Sequence, residues 1–452
     1  MEKETDTIVA LSTPFGESGI GVIRLSGPLC FALVQEIFKR KEVTFRHSYF
    51  GRYYNVSGDI LDEVVFVCFE ENASYTGECM LEISCHGNPL IIRLIIQDCI
   101  ERGCRQALPG EFTRRAFLNG VLDLCQAESV ADLIHAKSEQ SIKLAQKQLQ
   151  GSLSSKIQNF IETLTEQVAM VEAYLDFPEE DLPEADIEKF KEQLKRLMLE
   201  IDSLIREQAY YPALNEGIHT VILGAPNAGK STLLNTLLGH ERAIVSDIPG
   251  TTRDFISENV SLDCYHLHLL DTAGIHESMQ QLECAGIKKT LEQLHKADFV
   301  ILVIDQSQPV PEFSKEVWEA IKPESTLILW NKTDLPKRVE SENLFESFNA
   351  GKISLKASNA FDLAKRYIVD FLEQRYHHFS NVQFMIHERH AKALTDASQA
   401  IQNAFDLFQR QGPDDCIAAE LKLALRALEG IVGRMDYEKV LDQIFSRFCI
   451  GK

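Results

Sequence analysis

The sequence predicts an α/β + α protein: an N-terminal α/β domain, a helical domain built from two flanking segments, and an inserted P-loop domain with a mostly parallel sheet. Three observations carry this. Gly224-Ala225-Pro226-Asn227-Ala228-Gly229-Lys230-Ser231 lies between an apolar run and a stretch of helical spacing. Glycine-poor segments with apolar residues three and four apart lie on both sides of the region it opens. The first 118 residues alternate strand-like runs with turns. The expected boundaries are 1–118, 119–215, 216–376 and 377–452.

Size and composition narrow the class. At 452 residues the chain has room for two to four domains, and its 45% hydrophobic and 25% charged content is ordinary for a soluble globular protein. The run from Leu90 to Ile96 is interrupted by Arg93, so no membrane span is expected. The polar, acidic start Met1-Glu2-Lys3-Glu4-Thr5-Asp6 is unlike a secretory signal or a transit peptide, which makes the cytoplasm the expected compartment. Eleven cysteines without C-x-x-C pairs argue against a disulfide framework or a zinc site, and adjacent Cys85-His86 lacks two further ligands at a suitable spacing. A net charge of −21 opposes general attraction to nucleic acid, so an RNA partner must meet a local basic patch or a second protein.

In the first domain, Thr7 to Leu11 and Gly21 to Leu25 are expected as strands around a turn at Gly16, Gly19 and Gly21. That spacing is not G-x-G-x-x-G, so no dinucleotide site is expected. Strands at Val64 to Phe69 and Met80 to Cys85 and an apolar helix from Pro89 to about Arg102 follow. Pro109 to Arg115 is expected as a loop whose arginines and Glu111 form a salt-bridged connector.

From Leu122 the texture becomes helical, with an apolar stripe at Leu153, Ile157, Phe160, Ile161, Leu164, Val168, Val171 and Leu175. Prolines and acids between Phe177 and Pro183 interrupt it, and Ile187 to Tyr210 resumes it.

The P-loop segment follows. Thr220 to Leu223, the glycine loop and Thr232 to Leu238 form the strand, loop and helix of G-x-x-x-x-G-K-[ST]. Glycines let backbone N–H groups turn toward a phosphate, and the helix N-terminus adds its positive dipole end. Lys230 is then placed for the β/γ-phosphates and Ser231 for Mg²⁺. Leu267 to Leu270 ends in Asp271-Thr272-Ala273-Gly274, the D-x-x-G pattern whose Asp reaches Mg²⁺ through water and whose Gly N–H meets a γ-phosphate. Phe299 to Asp305 and Thr326 to Trp330 read as further buried strands, the latter delivering Asn331-Lys332-Thr333-Asp334.

Asp334 selects the base. A carboxylate accepts two parallel hydrogen bonds from guanine N1–H and the 2-amino group, whereas adenine lacks that amino group and presents a lone pair at N1. The segment therefore reads as a GTPase. Gly351 to Lys356 fits a last strand and base-side loop, with Ser354-Leu355-Lys356 in the manner of a Ser-Ala-Lys.

Helical texture returns from His387 through Phe448, broken at Gly412-Pro413. A helical tail needs an apolar surface to cover, so both flanks are expected to share one domain with the GTPase inserted between them. Gly430-Ile431-Val432-Gly433 is read as a helix connection rather than a KH-type RNA loop, because no KH strands flank it. The ending Phe448-Cys449-Ile450-Gly451-Lys452 fails as a prenylation signal, since Gly451 is not aliphatic and Lys452 is no recognised last residue.

The order of these parts, with Thr5-Asp6-Thr7-Ile8-Val9-Ala10, Pro109-Gly110-Glu111-Phe112, Arg115-Ala116-Phe117-Leu118-Asn119, Asp176-Phe177-Pro178, Gly250-Thr251-Thr252-Arg253-Asp254 and the Cys-Ile-Gly-Lys tail, resembles the MnmE (TrmE) tRNA modification GTPases over essentially the whole chain. The resemblance implies an N-terminal folate-binding-like domain that dimerises and holds a 5-formyl- or 5,10-methylene-tetrahydrofolate-type ligand. It also implies a homodimer and an FAD-containing MnmG (GidA)-type partner, with a heterotetramer as their joint assembly. Together they add a carboxymethylaminomethyl or aminomethyl group to the wobble uridine of certain tRNAs. Arg24, Glu82 and Lys452 match folate-site positions, and Val121 stands where relatives often carry a lysine. Cys449 reads equally as a nucleophile toward uridine or as a packed tail residue.

Hydrolysis needs a water-orienting group, and Ile275 occupies the position where Ras-type enzymes carry glutamine. Glu277, Gln280, Gln281 and Glu283 are nearby, and the resemblance selects Glu283. No arginine finger is evident, and a monovalent cation can supply that charge. The resemblance implies K⁺, with ligands from Asn227, Ser246, Ile248 and Thr251, and Thr252 as the second Mg²⁺ ligand beside Ser231. Ala228, Gly229, Thr232, Asp247, Pro249 and Gly250 complete the expected nucleotide contacts. The competing class is a GTPase switch in ribosome assembly, like Era.

Overall fold

A computed structural model describes residues 6–176, 184–240, 258–270, 291–311, 313–337, 345–376, 379–433, 444–445, 448 and 451. They fall into two compact units, 1–131 with 148–199 and 392–452, and 132–147 with 200–391.

In the first unit β1 (Ile8–Leu11), β2 (Ser18–Ser26), β3 (Ser48–Tyr54), β4 (Ile60–Phe69), β5 (Met80–Gly87) and β6 (Arg105–Gln106) form one sheet, ordered β3-β4-β5-β2-β1-β6. Every pair is antiparallel except β1 with β6. Alternation dictates its two faces. Ile23, Leu25, Val64, Phe66, Leu81 and Ile83 pack with Leu33, Val34 and Ile37 of the helix Cys30–Phe38 and with Ile92 and Ile95 of the helix Pro89–Glu101. Arg24 and Glu82, between those apolar neighbours, stand on the other face. The second helix starts where its sequence says it should: Pro89 opens it, and Asn88 Oδ1 accepts from Leu90 N at 2.8 Å.

Two expectations need correction here. Gly19 and Gly21 belong to β2, and only Gly16 lies in the turn. Gly21 is a packing glycine, since a Cβ there would come within 2.9 Å of Ile92 Cδ1. Pro109 to Arg115 is salt-bridged through Arg115 and Glu111 but is not a loop throughout: a helix runs Glu111–Leu118, and both residues are buried. Gly110 turns the chain into that helix at φ +68°, and Glu111 Oε2 accepts from Leu108 N at 2.7 Å.

The helices of this unit bury the stripe read from the sequence. Leu153, Ile157, Phe160, Ile161, Leu164, Val168 and Val171 of the helix Ser152–Asp176 are buried and that helix packs on the helix Asp414–Val432, while Leu175 near the end is 40% exposed. Phe190 and Phe408 meet with ring centroids 4.7 Å apart, joining the helices Glu184–Glu207 and Glu388–Gln409. Both flanks of the sequence therefore build one helical body.

The second unit holds β7 (Ile218–Leu223), β8 (Glu258–Leu262), β9 (Tyr265–Leu269), β10 (Phe299–Asp305), β11 (Thr326–Asn331) and β12 (Asn349–Lys352), ordered β12-β11-β10-β7-β9-β8. Pairing is parallel except for the β8–β9 hairpin. One face packs Ile222, Ile301, Val303 and Leu329 against Leu233 and Leu237 of the helix Lys230–His240 and Ile368 of the helix Ala360–Arg375. The other packs Val221, Leu302, Ile304 and Trp330 against Val317 of the helix Lys315–Ala320. Burial on both faces is why β10 and β11 read as unbroken apolar runs. Among the described residues no helix is long and apolar enough to cross a membrane.

Candidate functional site

The strand β7 is followed by Gly224, whose φ is +155° and whose Cβ, if present, would lie 2.3 Å from Val303 O of β10. Gly229 has φ +111°, and a Cβ there would meet Asn331 Nδ2 at 2.2 Å. Both motif glycines are thus demanded by neighbouring strands as well as by the loop's own turn. Asn227 adopts φ +61°, a left-handed conformation that Asn tolerates. The helix Lys230–His240 then begins, with exposed Ser231 and Thr232 in its first turn.

Lys230 is 4% exposed, and its Nζ donates to the carbonyls of Gly224 and Ala225, each at 2.8 Å. Burial pushes its pKa below the usual lysine value. A desolvated cation held by neutral carbonyls is a receptor for phosphate oxygens.

The carboxyl ends of β10 and β11 supply the other half. Asn331 is buried; its Nδ2 donates to Ala228 O at 2.8 Å, and its Oδ1 accepts from Leu355 N at 3.1 Å. It therefore ties the phosphate loop to the base-side loop. Leu355 is buried, with its side chain in the core beside Ile353 and Ala360. Asp334 is exposed and accepts from Ser354 Oγ at 2.7 Å; that bond, with help from the charges of Lys356 and Lys332, holds its carboxyl below the usual range. Thr333 N donates to Ile353 O at 3.3 Å. Lys332, at φ +62°, places Nζ 2.7 Å from Asp305 Oδ2. Desolvation works against the charge on Asp305, yet Lys332 and Ser307 outweigh it and lower the pKa. A cavity of about 390 Å³ beside this loop is lined by Thr232, Asn235, Thr236, Leu355, Ser358 and Phe361. A site role for Asp305 and Gln306 escaped the sequence reading; their signal is a polar pair at the carboxyl end of a buried strand, where α/β sheets place ligands.

Ser246, Asp247, Ile248, Pro249, Gly250, Thr251, Thr252, Asp271, Thr272, Ala273, Gly274 and Glu283 lie outside the described residues, as do Cys449 and Lys452.

The first unit brings a second set together. Arg24 and Glu82 are register partners across β2 and β5, with Nη2 2.7 Å and Nε 2.9 Å from Glu82 Oε1. The guanidinium lies 5.3 Å from the Tyr75 ring centroid and 5.8 Å from that of Phe112. Val121, 43% exposed, follows the helix Glu111–Leu118 and packs against Gly77, where a Cβ would come within 2.9 Å of its Cγ2. Gly451 has φ +96°, and a Cβ there would lie 2.1 Å from Leu11 O. Its carbonyl accepts from Ser12 Oγ at 3.1 Å, so the chain's end sits against the end of β1, one residue from the Ala10–Arg24 register pair.

The family model of the MnmE helical domain matches residues 124–449, and that of the GTP-binding protein TrmE N-terminus matches residues 7–121. The tRNA modification GTPase MnmE of Opitutus terrae is 43% identical over 448 residues, covering 99% of this chain and 99% of its own. The protein of that name from Aquifex aeolicus is 40% identical over 453 residues, covering 99% of this chain and 100% of its own. By the helical-domain match and by identity along its full length, this chain belongs to the MnmE (TrmE) family.

Proposed function

We propose that this chain is a potassium-stimulated GTP hydrolase that, with an FAD-containing MnmG-type partner and a one-carbon folate, modifies the wobble uridine of certain tRNAs at C5. The coarser reading, a GTPase of tRNA modification, rests on full-length kinship with proteins of that name. The single observation that carries it in this chain is Asp334, held ionised by Ser354 on the loop that Asn331 joins to the phosphate loop of Lys230. A carboxylate so placed pairs with guanine's two donors and leaves adenine unpaired, which is worth several orders of magnitude in selection.

Within this reading Lys230 takes β- and γ-phosphate oxygens, and Ser231 with Thr252 ligates Mg²⁺. Magnesium held there would supply charge that neutralises the phosphates. Asn227, Ser246, Ile248 and Thr251 hold K⁺, and Glu283 orients the attacking water. In the first unit a paired guanidinium and carboxylate beside Tyr75 and Phe112 suit a flat, polar-edged heterocycle such as a tetrahydrofolate. Arg24, Glu82 and Lys452 contact it, and Val121 supplies an apolar contact where a lysine would supply a charge. The chain works as a homodimer through this domain, in the cytoplasm.

The test is nucleoside analysis of tRNA from a strain lacking the protein, before and after restoring it. Loss of the C5 group, returned by the parent but not by Lys230→Ala, is expected. Unchanged nucleosides beside ribosomal particles on the purified protein would favour the assembly switch instead. Equal hydrolysis in K⁺ and Na⁺ would remove the potassium part alone.

A further inference from the structure

We infer that Gln306 is a positioning residue for guanine recognition, acting through the loop that carries Asp334; the inference rests on the GTPase reading above. Gln306 follows the last residue of β10 and is 8% exposed. Its backbone N–H donates to Asn331 O at 3.1 Å, which extends the β10–β11 ladder by one bond. Its side-chain amide then reaches over the loop, where Nε2 donates to Lys332 O at 3.2 Å and to Leu335 O at 2.9 Å. These two carbonyls bracket Thr333 and Asp334. Lys332 O also accepts from Leu335 N at 2.9 Å, so one amide closes both ends of a tight turn.

That turn needs holding. Lys332 sits at φ +62°, a conformation most side chains avoid, and Asp334 is exposed. Ser354 sets the carboxylate's direction and Asp305 fixes the Lys332 side chain, but neither touches the loop's carbonyls in the described contacts. Gln306 supplies that restraint. A carboxylate displaced by a fraction of an ångström loses the parallel pair with guanine before it loses a single bond, because the pair demands both donors in line.

Guanine and hypoxanthine separate this role from mere packing, since hypoxanthine lacks the 2-amino group and offers Asp334 one donor. GDP and IDP affinities of the full chain are measured by equilibrium dialysis with Mg²⁺, for the parent, Gln306→Ala and Gln306→Met. Methionine keeps the length and bulk of the side chain without its donors. Both variants are expected to bind GDP about five- to tenfold more weakly, with a smaller change for IDP, so that the GDP:IDP preference falls; the factor is that of one or two lost hydrogen bonds. The maximal rate at saturating GTP is expected to stay within about twofold of the parent, because uniform binding energy is removed. An unchanged preference in both variants, an equal loss for both nucleotides, or recovery of the parent's affinity in Gln306→Met would each overturn the inference. Failure of the parent itself to bind GDP would instead strike the GTPase reading.

Discussion

Two buried cations, one in each unit, are treated in opposite ways. Arg115, 1% exposed, meets three carboxylates: Nη2 lies 2.7 Å from Asp6 Oδ1 and 3.1 Å from Glu111 Oε1, and Nη1 lies 3.2 Å from Glu78 Oε2. Arg105 closes the network from outside, bonding Asp6 and Glu111. Lys230 is almost as deeply buried, yet among the described residues its Nζ donates to backbone carbonyls alone. A cation ringed by carboxylates is neutralised within the fold, and its work is architectural. One met only by neutral oxygens keeps its charge for an anion that arrives later. The difference separates an architectural arginine from a lysine open to an anion without reference to any motif.

Substitution tests the contrast most strongly. Arg115→Met leaves three carboxylates facing one another and is expected to cost about 3–5 kcal/mol of stability, read by denaturant unfolding. Lys230→Met removes a desolvated charge, so stability should hold or rise while GTP turnover falls about 10²–10³-fold for want of one transition-state donor. Comparable destabilisation by both changes would break the comparison.

The two sites should also part company with pH. Asp6 and Glu111 have folded pKa values below their unfolded ones: desolvation is the largest single effect and raises them, but the bonds and charges of Arg105 and Arg115 together outweigh it. The unfolded chain therefore binds more protons in acid, and this stability, complete above about pH 4.5, drains away below it. Lys230 is also depressed, so between its folded pKa and about 10.4 the unfolded state again holds the extra proton, and stability rises with pH. Bound phosphate should abolish that alkaline rise by restoring the lysine's charge. Thermal melts across pH, with and without GDP, check both limbs. A rise that survives GDP would mean the phosphate does not meet Lys230.

The smallest effect sharpens the base-reading side. Ser354→Ala frees Asp334 from its main hydrogen bond and raises its pKa, and GDP affinity should fall about fivefold, as for one hydrogen bond to a charged group. Affinity equal to the parent's would show that Asp334 needs no partner.

Much of this was legible along the chain. Unbroken apolar runs announced β10 and β11 because a strand buried on both faces has no polar side to alternate with. The stripe from Leu153 to Val171 announced its helix for the matching reason, one buried face at helical period. β3 and β8 were not announced. Each lies at a sheet edge, and β3 mixes Ser, Tyr, Gly and Arg so that only Tyr53 is deeply buried. The ion pairing around Glu111 was legible as charge beside charge, but its helix and its burial were not, because only packing shows a charge enclosed.

By itself the sequence determined the order of parts, the glycine loop and the position of the Asp334 carboxylate proposed to read guanine, because each depends on residues within one turn or one strand. Tertiary structure alone decided that Asn331 spans from the phosphate loop, 103 positions away, to the base-side loop, that Gln306 clamps the turn beneath Asp334, and that Arg24 meets Glu82 across a sheet. Those pairings arise where the strands come together, and no local periodicity records which residues will face each other there.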